Sequence, residues 1–405
     1  MKLQHIEARV LCSLAAILLF SLGLNAPCCH AAEGKQRGDA SFVPQKGEAD
    51  RHSRTYNDYA LFFAGMRNAQ GFLAGTEASP AWDQFARSFD ESWKEFEAAR
   101  LKPVKEWAAR ELGAVDSSRY TVFYPFSGAD FAFMYAVFPE ARNYVMVSLE
   151  RVGRIPDVST MSKTNLDSCF AGLQRANQDL LYRGYFITKH LETALQEKCL
   201  EGILPLLLLL MAREKVRVID VHYWFMNPGG TIEETPALER FTFEKGSIPG
   251  VRILFQREGC ERTQTLYYLR FDLTKGSFGR NEKFVSFLKS FGPLATFEKA
   301  SSYLMFDPDY SAIRQFILDR SMHILQTDSG IPIRFFDPSM WSVKLFGTYQ
   351  KPLSVFSYRY QNDLAEMYLK TQNVPAISFP MGYHYRPGTA NLLFATRKEA
   401  PQGLR

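Results

Sequence analysis

The stretch Tyr120–Glu150, YTVFYPFSGADFAFMYAVFPEARNYVMVSLE, limits the possible folds of this chain more than any other. Thr121, Val122, Phe123, Tyr124 and Phe126 are β-branched or aromatic, which suits a strand covered on both faces. A one-glycine turn, a short aromatic helix and a second apolar strand ending on Glu150 follow. That order is one half of a wound α/β sheet, in which ligands sit beyond the carboxyl ends of the strands. The turn after the first strand is therefore the first place to look for chemistry.

Two readings of that turn compete. Ser127 fits an N-cap with Asp130 three residues on, as in a capping box, and Phe126 and Phe131 are spaced as a hydrophobic staple. A well-made helix start explains all four residues. The functional reading makes Gly128 and Ala129 an open backbone where free amides and the helix dipole favour an anion. Glu150 then stands where dinucleotide-binding folds place a ribose-binding acid. The loop holds one glycine where that fingerprint has three, and Pro125 and Phe126 add bulk, so a nucleotide is disfavoured.

The N-terminus has the layout of an export signal. Lys2 and Arg9 precede the apolar run Leu11–Leu24, and a small-residue exit follows at about Ala31. The run is too short for a retained membrane anchor. Cleavage leaves Cys169, Cys199 and Cys260, which can form at most one internal bridge and match no zinc-ligand spacing. The formal net charge of +5 is dispersed, with no basic run, which argues against nucleic acid. Thirty-three phenylalanines and 19 tyrosines imply a large aromatic core, with rings left over for a cleft.

The expected organisation is an export signal over 1–32, a polar tether over 33–53, an N-terminal helical layer over 54–115 and an α/β domain over 116–400. Ser79-Pro80 opens a helix on which Trp82, Phe85, Phe89, Trp93 and Phe96 form one apolar stripe, expected to pack on the sheet; Pro103 restarts a shorter helix. Ile203–Ala212, with five consecutive leucines, reads as a helix buried on every side. On the strand Val216–Phe225, Val216, Val218, Asp220, His222 and Trp224 fall on one face, offering Asp220 and His222 as a potential ligand pair. Val251–Gln256 and Thr265–Asp272 read as an antiparallel pair, and Thr296–Phe306 as a strand carrying Lys299. Thr327-Asp328-Ser329-Gly330 reads as a hairpin turn. Gly382–Arg386 is a tyrosine-rich loop within reach of a ligand.

Tyr124-Pro125-Phe126-Ser127-Gly128 with Asp130, the Leu149-Glu150 strand end, the Thr327–Pro332 segment and Asn391-Leu392-Leu393 resemble marks of a family of uncharacterised secreted bacterial proteins. The resemblance implies export and carries no activity. The hydrolase elbow G-x-S-x-G is absent, as are H-E-x-x-H, the P-loop and C-x-x-C.

The expected fold is mixed α/β, a central sheet with helices on both faces. The candidate catalytic residues are Ser127, Asp130 and His222, the last as a base. Gly128, Glu150, Asp220, Lys299, Asp328 and Ser329 are candidate ligand contacts; no metal is assigned and the cofactor is left open. Two functions remain open. One is an extracytoplasmic hydrolase or transferase on an envelope-derived or small polar substrate, which requires Ser127, Asp130 and His222 in one pocket. The other is a ligand-binding or envelope-scaffold protein with clustered aromatic loops.

Overall fold

The computed structural model describes residues 46–196, 200–239, 241–386 and 388–399. The expected export segment and residues 33–45 of the expected tether lie outside them. Residues 46–53, expected as tether, belong to the helix Lys46–Phe63.

Thr121–Pro125 (β1) and Asn143–Ser148 (β2) run parallel, with Thr121 opposite Asn143 and Pro125 opposite Val147. The helix Phe131–Val137 connects them. The remaining strands are β3 (Val216–Met226), β4 (Ile232–Pro236), β5 (Ile248–Arg257) and β6 (Thr263–Arg270). They continue with β7 (Leu294–Glu298), β8 (Ser321–Gln326), β9 (Trp341–Gly347) and β10 (Asn391–Arg397). All form one mixed sheet in the order β4-β3-β5-β6-β2-β1-β7-β8-β10-β9. The middle run β6-β2-β1-β7-β8 is parallel, and both flanks are antiparallel.

Alternation along the central strands feeds two cores. Val122, Tyr124, Tyr144 and Met146 face one apolar cluster, while Phe123, Val145 and Val147 face the other. Covered on both sides, these strands need no polar face, hence their unbroken apolar runs. The first cluster is roofed by the N-terminal helices with Lys163–Arg183 and Leu204–Arg213. The second is roofed by Glu282–Ser290, Ser311–Arg320 and Asn362–Lys370. Every residue of Leu204–Arg213 is buried. Among the described residues no helix is long and apolar enough to cross a membrane.

Several local readings change. The stripe Trp82–Phe96 is buried, but it meets other helices above the sheet: Phe85 stacks on Phe170 at 4.9 Å and Phe96 meets Phe133 edge-on. Pro103 stands in the first turn of the shorter helix Lys102–Glu111, as expected, but no break precedes it. The helix Pro80–Phe96 continues through a wide π turn, Glu97–Leu101, into Lys102–Glu111, and the wider spacing accommodates the missing proline N–H. A β-bulge between Val218 and Asp220 flips the alternation of β3. Val216, Val218, Val221 and Tyr223 therefore share one core face, and Trp224 and Met226 the other. The turn after β8 leads into the 3-10 turn Ile333–Phe335, not a hairpin partner; β8 pairs with β7 and β10.

Candidate functional site

From β1 the chain steps to β2 and on to β6 in one direction, then resumes at β7 on the opposite side of β1. The sheet order reverses between β1 and β7, which is where wound sheets open a crevice at their carboxyl ends. A cavity of about 440 Å³ lies there. The chain after β1 supplies Ser127, Gly128 and Asp130, the end of β2 supplies Ser148 and Glu150, and the residue after β7 is Lys299.

The turn after β1 is bent by positive φ at Phe126 (56°) and at Gly128 (55°). A non-glycine residue in that region costs about 1–3 kcal/mol and persists only where its surroundings hold it. Phe126 is held edge-on against Tyr310, on the opposite side of the sheet from Phe131, so the two form no staple. Ser127 caps nothing: its hydroxyl donates to the Gly128 carbonyl at 3.2 Å, and the helix begins only at Phe131. The turn's amides are largely used internally. Ser127 N–H donates to Val147 O, Gly128 N–H to Ser148 Oγ at 3.2 Å and Asp130 N–H to Ser127 O. The Gly128 amide is therefore not free to meet an anion, and the nucleotide reading of Glu150 loses that support.

Asp130 occupies the cap position without capping, because its side chain turns to the floor of the cavity. Oδ2 accepts the Tyr124 hydroxyl at 2.8 Å and lies 2.5 Å from Lys299 Nζ; Oδ1 closes no hydrogen bond. Nζ also stands 3.5 Å over the Phe133 ring. Asp130 is 2 % and Lys299 1 % exposed. Burial raises the Asp130 pKa, with Lys299 opposing, and lowers that of Lys299 to about 8, with Asp130 opposing. Desolvation thus pushes both partners towards their neutral forms, and one proton passing from Nζ to Oδ2 neutralises the pair.

Glu150 is also buried, which raises its pKa, and it shares a short hydrogen bond with the Ser148 hydroxyl. The loop beyond it is pinned by a crossing of Gly153 and Gly202. A Cβ on Gly202 (φ 151°) would stand 2.3 Å from Gly153 N. Backbone bonds from Ile203 to Arg151 and from Leu204 to Val152, both 2.9 Å, fix the crossing. Side chains from Tyr185, Phe186, Phe356 and Tyr383 form apolar walls, and Leu149 and Val355, 55 % and 67 % exposed, stand at the mouth.

Ser127, Gly128, Asp130, Glu150 and Lys299 therefore meet at one cavity, and four other candidates do not. His222 and Asp220 lie on β3, four strands from β1 and roughly 19 Å away at about 4.8 Å per strand. There Arg252 donates to His222 Nδ1 at 2.8 Å and forks onto Glu234. Burial raises the Glu234 pKa, but bonds and charges from His222 and Arg252 outweigh it and hold it at about 2. His222 cannot serve Ser127 as a base, and a guanidinium fills the space a metal at Asp220 and His222 would need. Among the described residues no three His, Cys, Asp or Glu side chains converge as a metal site.

Asp328 and Ser329 lie in a sealed layer behind Lys299. Asp328 accepts Tyr303 Oη at 2.7 Å and pairs with His384 Nε2 and Asn391 Nδ2, both at 3.1 Å. Ser329 Oγ accepts the Ser301 N–H, and Thr327 Oγ1 donates to the Lys299 carbonyl at 2.8 Å. Gly382 presses on that same carbonyl, since a Cβ there would come within 2.3 Å of it. This layer sets the Lys299 backbone and, through Tyr383, one wall. The sequence pointed to the Gly382–Arg386 loop but missed Tyr124, whose buried phenol in a core strand already required a polar partner. No known protein family, curated protein or solved structure matches this chain.

Proposed function

We propose that the chain is an extracytoplasmic enzyme acting on a small molecule in this cavity, with Lys299 and Asp130 as its proton-transfer pair. The observation that carries the reading is a desolvated Lys–Asp–Tyr cluster on the floor of a cavity at the switch point of the sheet. A pair serving only stability gains little from burial, since apolar residues of similar volume do as well. Here both partners retain unmet hydrogen-bonding capacity beside an open volume. The substrate that fits has an apolar or aromatic body and an uncharged polar group. Burial raises the pKa of both Glu150 and Asp130, so the site disfavours further charge, and the walls are rings. Export is supported by the N-terminal pattern and by the disulfide at Cys169.

A binding protein without chemistry is the second reading. It draws on the Ser127 hydroxyl, which engages a neighbouring carbonyl instead of a base. A thermal-shift screen of small neutral metabolites, followed by turnover assays on the hits, separates the two. Hits must stabilise the wild type by about 2.7 kcal/mol at 100 times Kd, and must lose that effect in Val355→Trp, which blocks the mouth. Turnover abolished by Lys299→Arg supports the enzyme; binding without turnover supports the carrier; no ligand sensitive to the mouth variant refutes both.

A further inference from the structure

The amine of Lys299 is placed for more than proton transfer. A lysine ammonium carries three N–H donors, and this one has a single close polar partner, the Asp130 carboxylate at 2.5 Å, with the Phe133 ring face at 3.5 Å. It still forms part of the cavity floor, so a molecule that reaches it has already left bulk water. Desolvated lysines of this kind serve elsewhere as nucleophiles towards carbonyl carbon. We propose that Lys299 captures a small aldehyde or ketone with an aromatic or branched apolar body, binding it as an imine at the cavity floor. This deepens the reading of the cavity as a substrate site and rests on it.

The step balances within the pair. Asp130 takes one proton from the ammonium, leaving a free amine and a carboxylic acid. The nitrogen lone pair forms the C–N bond as the carbonyl π pair moves to oxygen, and a second nitrogen proton passes to that oxygen to give the carbinolamine. Asp130 then protonates the hydroxyl, the C–O bond breaks, water leaves and the nitrogen lone pair closes the C=N bond. Ammonium, carboxylate and carbonyl have become iminium, carboxylate and water, with no charge created in the buried site. Asp130 is fixed for both transfers by the Tyr124 hydroxyl at 2.8 Å. Burial helps the first step: with a pKa of about 8 against ~10.4 for an exposed lysine, the free-amine fraction at pH 7 rises roughly 200-fold.

The test is reductive trapping. The full chain is incubated with benzaldehyde and sodium cyanoborohydride at pH 7, and each lysine is scored by peptide mass mapping. The expected result is a benzyl adduct on Lys299 forming at least about tenfold faster than on the mean exposed lysine, with a midpoint near pH 8 and not above ~10. Asp130→Asn is expected to slow it, Val355→Trp to block it and Lys299→Arg to abolish it. Labelling of Lys299 no faster than surface lysines, or labelling indifferent to Val355→Trp, overturns the proposal. Benzyl alcohol separates the two levels of the reading. If it stabilises the wild type but not Val355→Trp while no adduct forms, the cavity stands and the imine falls; if neither occurs, both fall.

Discussion

Replacing Lys299 by methionine tests whether the buried pair is as desolvated as it looks. The substitution keeps the stem in its apolar slot beside Phe133 and strands the Asp130 carboxylate, 2 % exposed, without its cation. Breaking a buried pair from one side costs about 3–5 kcal/mol, because the remaining charge is uncompensated. Asp130 can escape by protonation, and the sign of that escape is fixed. Its folded pKa is raised above the unfolded ~3.9, so between the two the folded state binds more protons and stability falls as pH rises, by up to ~1.4 kcal/mol per unit. The deficit of Lys299→Met in urea titrations should therefore be larger at pH 7.5 than at pH 5. The wild-type lysine, with a folded pKa of about 8, is protonated at pH 5 and roughly three-quarters protonated at pH 7.5, which stabilises the wild type by only about 0.2 kcal/mol at the higher pH and widens the deficit in the same direction. Pairing the change with Asp130→Asn should recover most of the loss, leaving the double variant within about 1 kcal/mol of wild type. A single-variant deficit below about 1 kcal/mol that ignores pH would refute the argument, since a solvated surface pair behaves that way.

Glu298 lies under the same sheet edge with only the Ser301 hydroxyl on its carboxylate, and burial raises its pKa to about 8. Its protonated form favours the fold, so stability should fall from about pH 4.5 to 8, and Glu298→Gln should raise the urea midpoint at pH 8.5 and leave it unchanged at pH 4. Ser127→Ala should move stability by less than about 0.5 kcal/mol, because no cap is lost, and a melting curve checks it; a loss near 1 kcal/mol would restore the capping reading. Gly202→Ala should cost more than about 2 kcal/mol, since backbone atoms at 2.3 Å cannot yield, and should weaken ligand protection by shifting the loop beyond Glu150. His222→Ala should leave ligand binding untouched by calorimetry, given its place on β3, four strands from β1.

The central α/β unit was legible because covered parallel strands are apolar without interruption, and 120–150 shows two such runs around a short helix. The leucine-rich helix was legible for the same reason: only a helix buried all round tolerates Leu206–Leu210. What failed was information carried by a third body. The face of His222 was inverted by one bulged residue, which leaves no mark in a period-two pattern. Its distance from Ser127 depends on strand order, which the sequence of a mixed sheet leaves open. Asp328 and Ser329 read as a turn and are one, yet Asp328 holds the Tyr303 hydroxyl and Ser329 the Ser301 N–H, with Asp328 braced by partners as distant in sequence as His384 and Asn391.

The sharpest disagreement between sequence and structure falls on the segment most suspected of function. Ser127, Asp130, Phe126 and Phe131 have the spacing of a helix start, and none of the four performs that task. Phe126 takes a positive φ that glycine would adopt freely, Asp130 spends its carboxylate on Tyr124 and Lys299, and the helix runs only from Phe131 to Val137. Each departure costs of order 1 kcal/mol locally, and all three serve one outcome, the delivery of a carboxylate to an amine beneath a cavity. Natural sequences break local rules mainly where function requires it. Were the turn only a connection between β1 and its helix, a Ser cap with Gly at the positive-φ position would be cheaper on every count.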